Sequence, residues 1–462
     1  MLASIKMKTA RTALGLLAVV LFWPNAASAA QQQKFPAGSP MKDTVVFQYA
    51  VYFLPKPAKD PKAVLQAVLR TRPKSPRLVE KPPRSLAKPV MTAYVEKEVA
   101  QRYAPPDLEA LQYSGRGLSR QQAQALQKSG QALIMTFGHT REHGWSALKA
   151  ATEIAETLAR ETDGLIWDEE TREIFTPDEW RKRRIATWTG TLPDVTRHTT
   201  IHAYKNGEYV RAITLGMAKF GLPDVVVQDF SWSLNRNMGH LVNALCQSLA
   251  EGGRVAKAGA YALDFRAIKN RGLRDEYLGS LKPNAKAVAR LTLMQGTPED
   301  GDPRNRLIEV AFDQYPGADV HERQDAMISA LFGWEDSIKR IRHDGELEAA
   351  SKRARARLPS LRKAFSKGLE PGEFIQVKAP FATPNDSNEW MWVEVTEWQG
   401  SRIRGLLRNE PFDIPGLHGG QIVQVQEEKV FDYIRRYPNG KEEGNETGRI
   451  IEKMRGSVET NK

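Results

Sequence analysis

Residues 199–215 read TTIHAYKNGEYVRAITL, two runs rich in β-branched and aromatic residues on either side of Asn206-Gly207. Such runs favour extended backbone, and Asn-Gly supplies the positive φ angles of a type I′ turn, so the stretch predicts a β-hairpin. Downstream of it, 225–230 reads as a strand, 238–249 as a helix, and 288–293 and 307–312 as two more strands separated by the Gly/Pro/acid segment 296–303. Upstream, 45–54 carries a dense strand signal, and Ala63, Val64, Ala67, Val68 and Leu69 follow with helical spacing. A Pro/Lys/Arg-rich loop at 72–89 separates these from a strand near 90–97, a helix over 119–129 and a strand at 132–137. Trp145, Leu148, Ala151, Ala155 and Leu158 then line one face of a helix, and short strands follow at 165–167 and 174–175. Thr176-Pro177-Asp178-Glu179 offers an N-cap, a proline at the first helical position and a capping-box glutamate. These patterns predict one mixed region over 45–190 and a second over 191–334, with no internal repeat.

From 335 to 367 the chain is basic and helical, with Leu347, Ala350, Ala354, Leu358, Leu361 and Phe365 forming one apolar stripe. Beyond it, 374–377, 390–396, 402–407 and 421–425 read as strands broken by Gly and Pro at short intervals. The expected fold class is α+β: two mixed α/β-sheet domains, then over 335–462 a helix and a small, strongly curved β-sheet or barrel.

Several motifs in this last region occur in a telling order: Val377-Lys378-Ala379-Pro380-Phe381, Glu389-Trp390-Met391-Trp392-Val393-Glu394-Val395, Gly405-Leu406-Leu407-Arg408-Asn409-Glu410-Pro411 and Gly420. Over roughly 347–455 the chain resembles the YegJ-type bacterial domain of unknown function, number 2314. Asp432-Tyr433 stands where that resemblance leads one to expect Asp-Trp. The resemblance implies a domain but no activity, and it leaves the first 340 residues unexplained.

The 462 residues are 41% hydrophobic and 26% charged with a net charge of +12, which excludes an acidic disordered chain and fits a multidomain globular protein. Residues 1–29 read as a cleavable signal peptide, with Lys6, Lys8 and Arg11 before an apolar core at 12–23 and an A-x-A site at Ala27-Ser28-Ala29. Cleavage between Ala29 and Ala30 is expected, followed by a leader over 30–44 and release to the periplasm or medium with no integral membrane span. Cys246 is the single cysteine, so no intramolecular disulfide can form. Its place among Met238, Val242, Leu245 and Leu249 predicts a packed thiol.

The sharpest chemical motif is His139-Thr140-Arg141-Glu142-His143, a literal H-x-x-E-H. On a helix it would place two imidazoles on one face to hold zinc, with Glu142 acting on a metal-bound water. Gly138 and Gly144 flank it and a strand signal precedes it, which favours a polar loop between strand and helix instead. Three S-x-x-K matches, beginning at Ser39, Ser85 and Ser360, and Lys128-Ser129-Gly130 sit in the wrong order and surroundings for a penicillin-recognising serine enzyme. Patterns of the G-x-S-x-G, Walker A and G-x-G-x-x-G types are absent. Trp390, Trp392 and Trp398 form a candidate binding surface or a packed core strand, and Glu299, Asp300 and Asp302 a candidate cation site or a solvated turn. The basic helix would suit phosphate binding, but export argues against nucleic acid and favours a solvated face.

The resulting expectation is an exported, non-catalytic binding protein of the bacterial cell envelope, with no cofactor and an unknown protein or envelope component as partner. The alternatives are a zinc-dependent hydrolase using His139, Glu142 and His143, and an immunity or inhibitor-like binder.

Overall fold

A computed structural model describes residues 33–54, 56–72, 75–83, 85–333, 345–384, 388–412 and 414–459. The expected signal segment, its cleavage point at Ala29 and Ala30, and residues 335–344 of the basic stretch lie outside the described residues.

Among the described residues the strands form three sheets, each drawn from one continuous stretch of chain. The first holds β1 (Thr44–Phe53), β2 (Arg77–Leu78), β3 (Val90–Glu96), β4 (Gly115–Arg116), β5 (Ala132–Thr140), β6 (Gly164–Asp168) and β7 (Glu173–Phe175), in the order β2-β3-β5-β1-β6-β7-β4. Its central strand β1 runs antiparallel to both β5 and β6. Because side chains alternate across a strand, Val45, Phe47, Tyr49, Val51 and Phe53 all point to one side. There they meet Leu148, Ala151, Ile154 and Leu158 of the Gly144–Thr162 helix, the apolar stripe read from the sequence. Thr176 caps the next helical turn by accepting from the Glu179 amide, but Glu179 pairs with Arg183 and does not return to the cap.

The second sheet holds β8 (Thr200–Asn206), β9 (Tyr209–Leu215), β10 (Asp224–Phe230), β11 (Ala260–Asp264), β12 (Val288–Gln295) and β13 (Leu307–Ala311), in the order β11-β12-β13-β10-β9-β8. The hairpin forms as expected, with its turn one residue later: Asn206 pairs with Tyr209, leaving Gly207 and Glu208 in the loop. Of Asn206, Gly207 and Glu208 only Gly207 has a positive φ, +63°, so the two-residue requirement of a type I′ turn is not met. The Asn235–Ala250 and Val320–Phe332 helices pack on this sheet, and Cys246 is buried as predicted, its thiol pushed up by desolvation.

One apolar cluster runs without a break from Val45 in the first sheet to Phe332 beyond the second. Residues 33–44 belong to this body too: Phe35 is buried, its amide donates to the Leu293 carbonyl at 2.8 Å, and Gly38 bridges to Val255.

The third sheet holds β14 (Phe374–Ala382), β15 (Asn388–Gln399), β16 (Arg402–Leu407), β17 (Ile422–Gln426), β18 (Asp432–Arg436) and β19 (Glu442–Gly444), in the order β17-β16-β15-β14-β18-β19. The mixed α+β class holds, but the sheet does not close into a barrel, since its edge strands β17 and β19 do not pair with each other. A closed barrel fills its interior with its own side chains; here the Gly345–Ser366 helix covers one face instead. Ala354, Leu358 and Leu361 of that helix pack on Ile375, Val377, Met391 and Val393 in a separate core. Arg353, Arg357 and Arg362 on the basic side pair with Glu446, Glu443 and Glu427, so part of the charge ties the helix to its own sheet. Asp432, buried, accepts from both the amide and the hydroxyl of Thr447 and so anchors the start of the Glu446–Glu459 helix. No helix among the described residues is long and apolar enough to cross a membrane.

Candidate functional site

The outer face of the third sheet looks onto the helices of the second. Along β14, Ile375, Val377 and Ala379 enter the core, so Phe374, Gln376 and Lys378 take the opposite face. Opposite Phe374 and Gln376 lie the first turn of the Asn235–Ala250 helix and one side of the Val320–Phe332 helix. Between them is a cleft of about 1340 Å³. Its helix wall carries Arg236, Asn237, His240 and Asp325, and its sheet wall Gln376, Arg408, Glu410, His418 and Arg436.

A latch holds the two walls together. Arg408, at the end of β16, donates to the Asp325 carboxylate at 2.8 Å, and both side chains are largely buried. Burial pushes the Asp325 carboxyl up, and the Arg408 guanidinium opposes that shift. Next to this pair the Gly419-Gly420 loop presses on the Val320–Phe332 helix. A Cβ at Gly419 would stand 2.5 Å from the Asp325 carboxylate, and one at Gly420 2.5 Å from the His321 carbonyl, so only glycine permits the approach. Glu410 fixes the loop by accepting from the Gly419 amide at 2.8 Å and pairing with His418 at 3.1 Å. Beneath it His321 is buried against the Tyr209 ring at 4.1 Å, and desolvation lowers its pKa.

Some polar side chains on both walls of the cleft have no internal partner. Arg236 and Asn237 on one wall and Gln376 on the other have no hydrogen-bond or ion-pair partner among the described residues, and Asn237 and Gln376 are half-buried. His418 is engaged with Glu410, and no serine, threonine or cysteine side chain is hydrogen-bonded to it among the described residues. The arrangement is equipped to receive carbonyl and carboxylate oxygens.

The H-x-x-E-H residues do not form a helical pair. His139 ends β5 and is buried, with Nδ1 against the Thr140 carbonyl at 2.9 Å. Arg141–His143 is a single 3₁₀ turn, and His143 contacts the Thr140 hydroxyl at 3.2 Å. The stretch joins strand to helix as expected, but its first two residues belong to the strand and only the last three turn, and the four-residue helical spacing of two zinc-binding imidazoles is not realised. Among the described residues no group of three or more His, Cys, Asp and Glu is placed to hold a metal ion.

The three tryptophans do not share a surface either. Trp390 and Trp392 stand on the outer face of β15, Trp390 against Phe431 with ring centroids 4.6 Å apart and Trp392 under the Lys378 ammonium at 5.6 Å. A bulge between Val395 and Glu397 reverses the alternation, so Trp398 enters the core side and its indole N–H donates to Glu427 at 3.0 Å. None of the three lines the cleft. In the acidic turn, Asp302 grips the Arg211 guanidinium with both oxygens, at 2.9 and 2.7 Å, and accepts from the Glu299 amide; it clamps a side chain in place of a cation.

Sequence reasoning missed a buried charge cluster where the first two sheets meet. Lys219 donates to Asp168 at 2.5 Å, and Arg184 reaches both Asp168 at 3.2 Å and Glu173 at 3.0 Å. Lys219, Asp168 and Arg184 are all removed from solvent, and burial lowers the Lys219 pKa while Asp168 holds it up. His198 beside them keeps neither ring nitrogen hydrogen-bonded, and desolvation first, then Arg184 and Lys219, keep it neutral. Without solvent access, this cluster joins the two sheets.

Residues 344–461 match the profile of a bacterial family described as uncharacterized protein conserved in bacteria (DUF2314). No curated protein and no solved structure matches the chain. The sheet wall of the cleft, with Arg408, Glu410, Gly419 and Arg436, falls inside the matched segment; the helix wall falls outside it.

Proposed function

We propose that the chain is an exported, non-catalytic binding protein of the bacterial cell envelope, and that it seats a polar segment of a partner protein in the cleft between the second and third sheets. The observation that carries this reading is the set of unpartnered donors on both walls, Arg236 and Asn237 facing Gln376, around a cavity large enough for several residues of extended chain. A polar group facing a cavity without a partner favours a ligand that supplies one, and main-chain carbonyls do so at regular spacing. The signal-like sequence at 1–29 supports export.

Photo-crosslinking in the producing cell tests the reading. A crosslinking amino acid at Asn237 and, separately, at Gln376 should capture the same partner, and one at the exposed Tyr113 should not. Different adducts at the two cleft positions, or the same adduct from all three, would remove the cleft from the account. Edman sequencing of mature protein recovered from the periplasm should begin at Ala30.

A further inference from the structure

A second cavity, of about 370 Å³, opens at the seam of the first two sheets and shares no lining residue with the cleft. Its floor is apolar: Val45, Phe220 and Ala250 are buried, and the Trp145 ring stands edge-on to Phe220 with centroids 5.6 Å apart. Its polar side chains are mostly cationic, Arg141, Lys219, Arg254 and Lys269, beside Ser39 and Glu251.

These cations differ in how far they are already satisfied. Lys219 is neutralised by Asp168 behind the wall. Arg141 donates to the Met41 carbonyl and to Asp43, whose side chain is 95% exposed, so that pair stands in water and contributes little. Lys269 donates its ammonium to the Glu251 carbonyl at 2.9 Å, a neutral acceptor that leaves its charge intact. Arg254 has no hydrogen bond or ion pair among the described residues. The single acid on the lining, Glu251, is already engaged: its carboxylate accepts from the Lys269 and Asn270 amides and from Gln247, at 2.6, 2.8 and 2.8 Å. The cavity therefore combines a hydrophobic floor with a net positive rim, on which Glu251 is the one carboxylate against Arg141, Arg254 and Lys269.

We infer that this cavity is a binding site for a small organic anion with an apolar body, a carboxylate or similar head held by Arg254, Arg141 and Lys269 while its hydrocarbon part lies on Trp145 and Phe220. The volume lies in the range of small-molecule sites, and an apolar pocket with a few convergent charges is how such sites select orientation. The inference also accounts for the H-x-x-E-H stretch in different terms. That loop contributes Arg141 and leads into Gly144 and Trp145, all three on the lining, whereas His139, Glu142 and His143 are not. Gly144 has no neighbour within 4 Å of where a Cβ would stand, so the wall stays open there.

Calorimetric titration of the full mature protein tests this with 2-naphthoate as the probe, 2-naphthamide as its uncharged match and acetate as the head alone. Naphthoate should bind one per chain, at least tenfold tighter than either control, and weaken as salt is raised. Arg254→Gln, at an exposed position, should weaken naphthoate about tenfold and leave naphthamide unchanged, and Trp145→Leu should weaken both. Arg236→Gln in the cleft should change neither. The inference fails if folded protein shows no saturable naphthoate binding, if naphthamide binds equally well, or if Arg236→Gln rather than Arg254→Gln abolishes binding.

Discussion

The two seams of this molecule are built on opposite principles. Where the first and second sheets meet, one apolar cluster crosses the boundary and the charges within it, Asp168, Arg184 and Lys219, are fully enclosed. Where the second and third sheets meet, each side keeps its own core, and the contact is polar: the partly buried Arg408–Asp325 ion pair, a looser Arg404–Glu208 pair and the Ser233 amide donating to Glu394, beside a glycine loop. The first seam resembles the inside of a domain and the second an interface between domains, which leaves room for a cleft. A seam of the first kind fixes geometry at the cost of desolvated charge; one of the second kind can open.

The sharpest way to break the comparison is at Lys219. Lys219→Ala leaves Asp168 enclosed with one cation fewer, and loss of one partner from a buried pair costs about 3–5 kcal/mol. Calorimetry should show the transition of the first two sheets moved down together while that of the third stays in place. A joint shift of all three would mean that the second seam is as tight as the first. Arg408→Ala should cost less, about 1–3 kcal/mol, because Asp325 retains some water. Its signature is a larger radius of gyration in X-ray scattering, with far-ultraviolet circular dichroism unchanged. Gly420→Ala meets both a φ of +85° and the His321 carbonyl, and should cost about 1 kcal/mol or more from the backbone alone, read in urea unfolding of the third sheet.

The smallest effect concerns pH. Glu170, at the first seam, has its carboxyl pushed from 4.5 to about 7, by burial first and by Asp168 second. Its folded pKa lies above its unfolded value, so the native state binds the proton more tightly and stability falls as pH rises from about 4.5 to 7. Glu170→Gln should flatten that fall and leave the protein more stable than the parent at pH 8, by roughly 1 kcal/mol after solvent screening. Urea midpoints across pH 4 to 8 measure it.

What was legible in the sequence follows the same division. Elements whose side chains obey a period were readable: the stripe from Leu347 to Leu361, the buried run of β1, and the hairpin, whose turn alone is shifted by a residue. The Val320–Phe332 helix was not, because His321, Glu322 and Gln324 are polar yet buried, and polarity there does not report exposure. Lys219 and Arg184 hid for the same reason; a lone lysine or arginine reads as surface until the fold supplies its carboxylate. In the H-x-x-E-H stretch spacing suggested chemistry and the flanking glycines a loop, whereas the strand runs on through Gly138 and His139 to Thr140 and only Arg141–His143 turns before the helix that Gly144 opens. The cleft was out of reach, since Arg236, Asp325, Gln376 and Arg408 come from four separate elements and no local pattern links them.

The strap at 33–44 has a consequence for the order of events in synthesis. It precedes every strand of the three sheets, yet Lys34 finds Asp313 only 279 residues later, and Phe35 waits for Leu293. This segment is therefore fastened in steps, at Gly221, Val255, Leu293 and then Asp313, and the first sheet's central strand starts beside anchors that do not yet exist. Contacts this distant in sequence are slow to form, which keeps this segment from being fully fastened until about two thirds of the chain has been made.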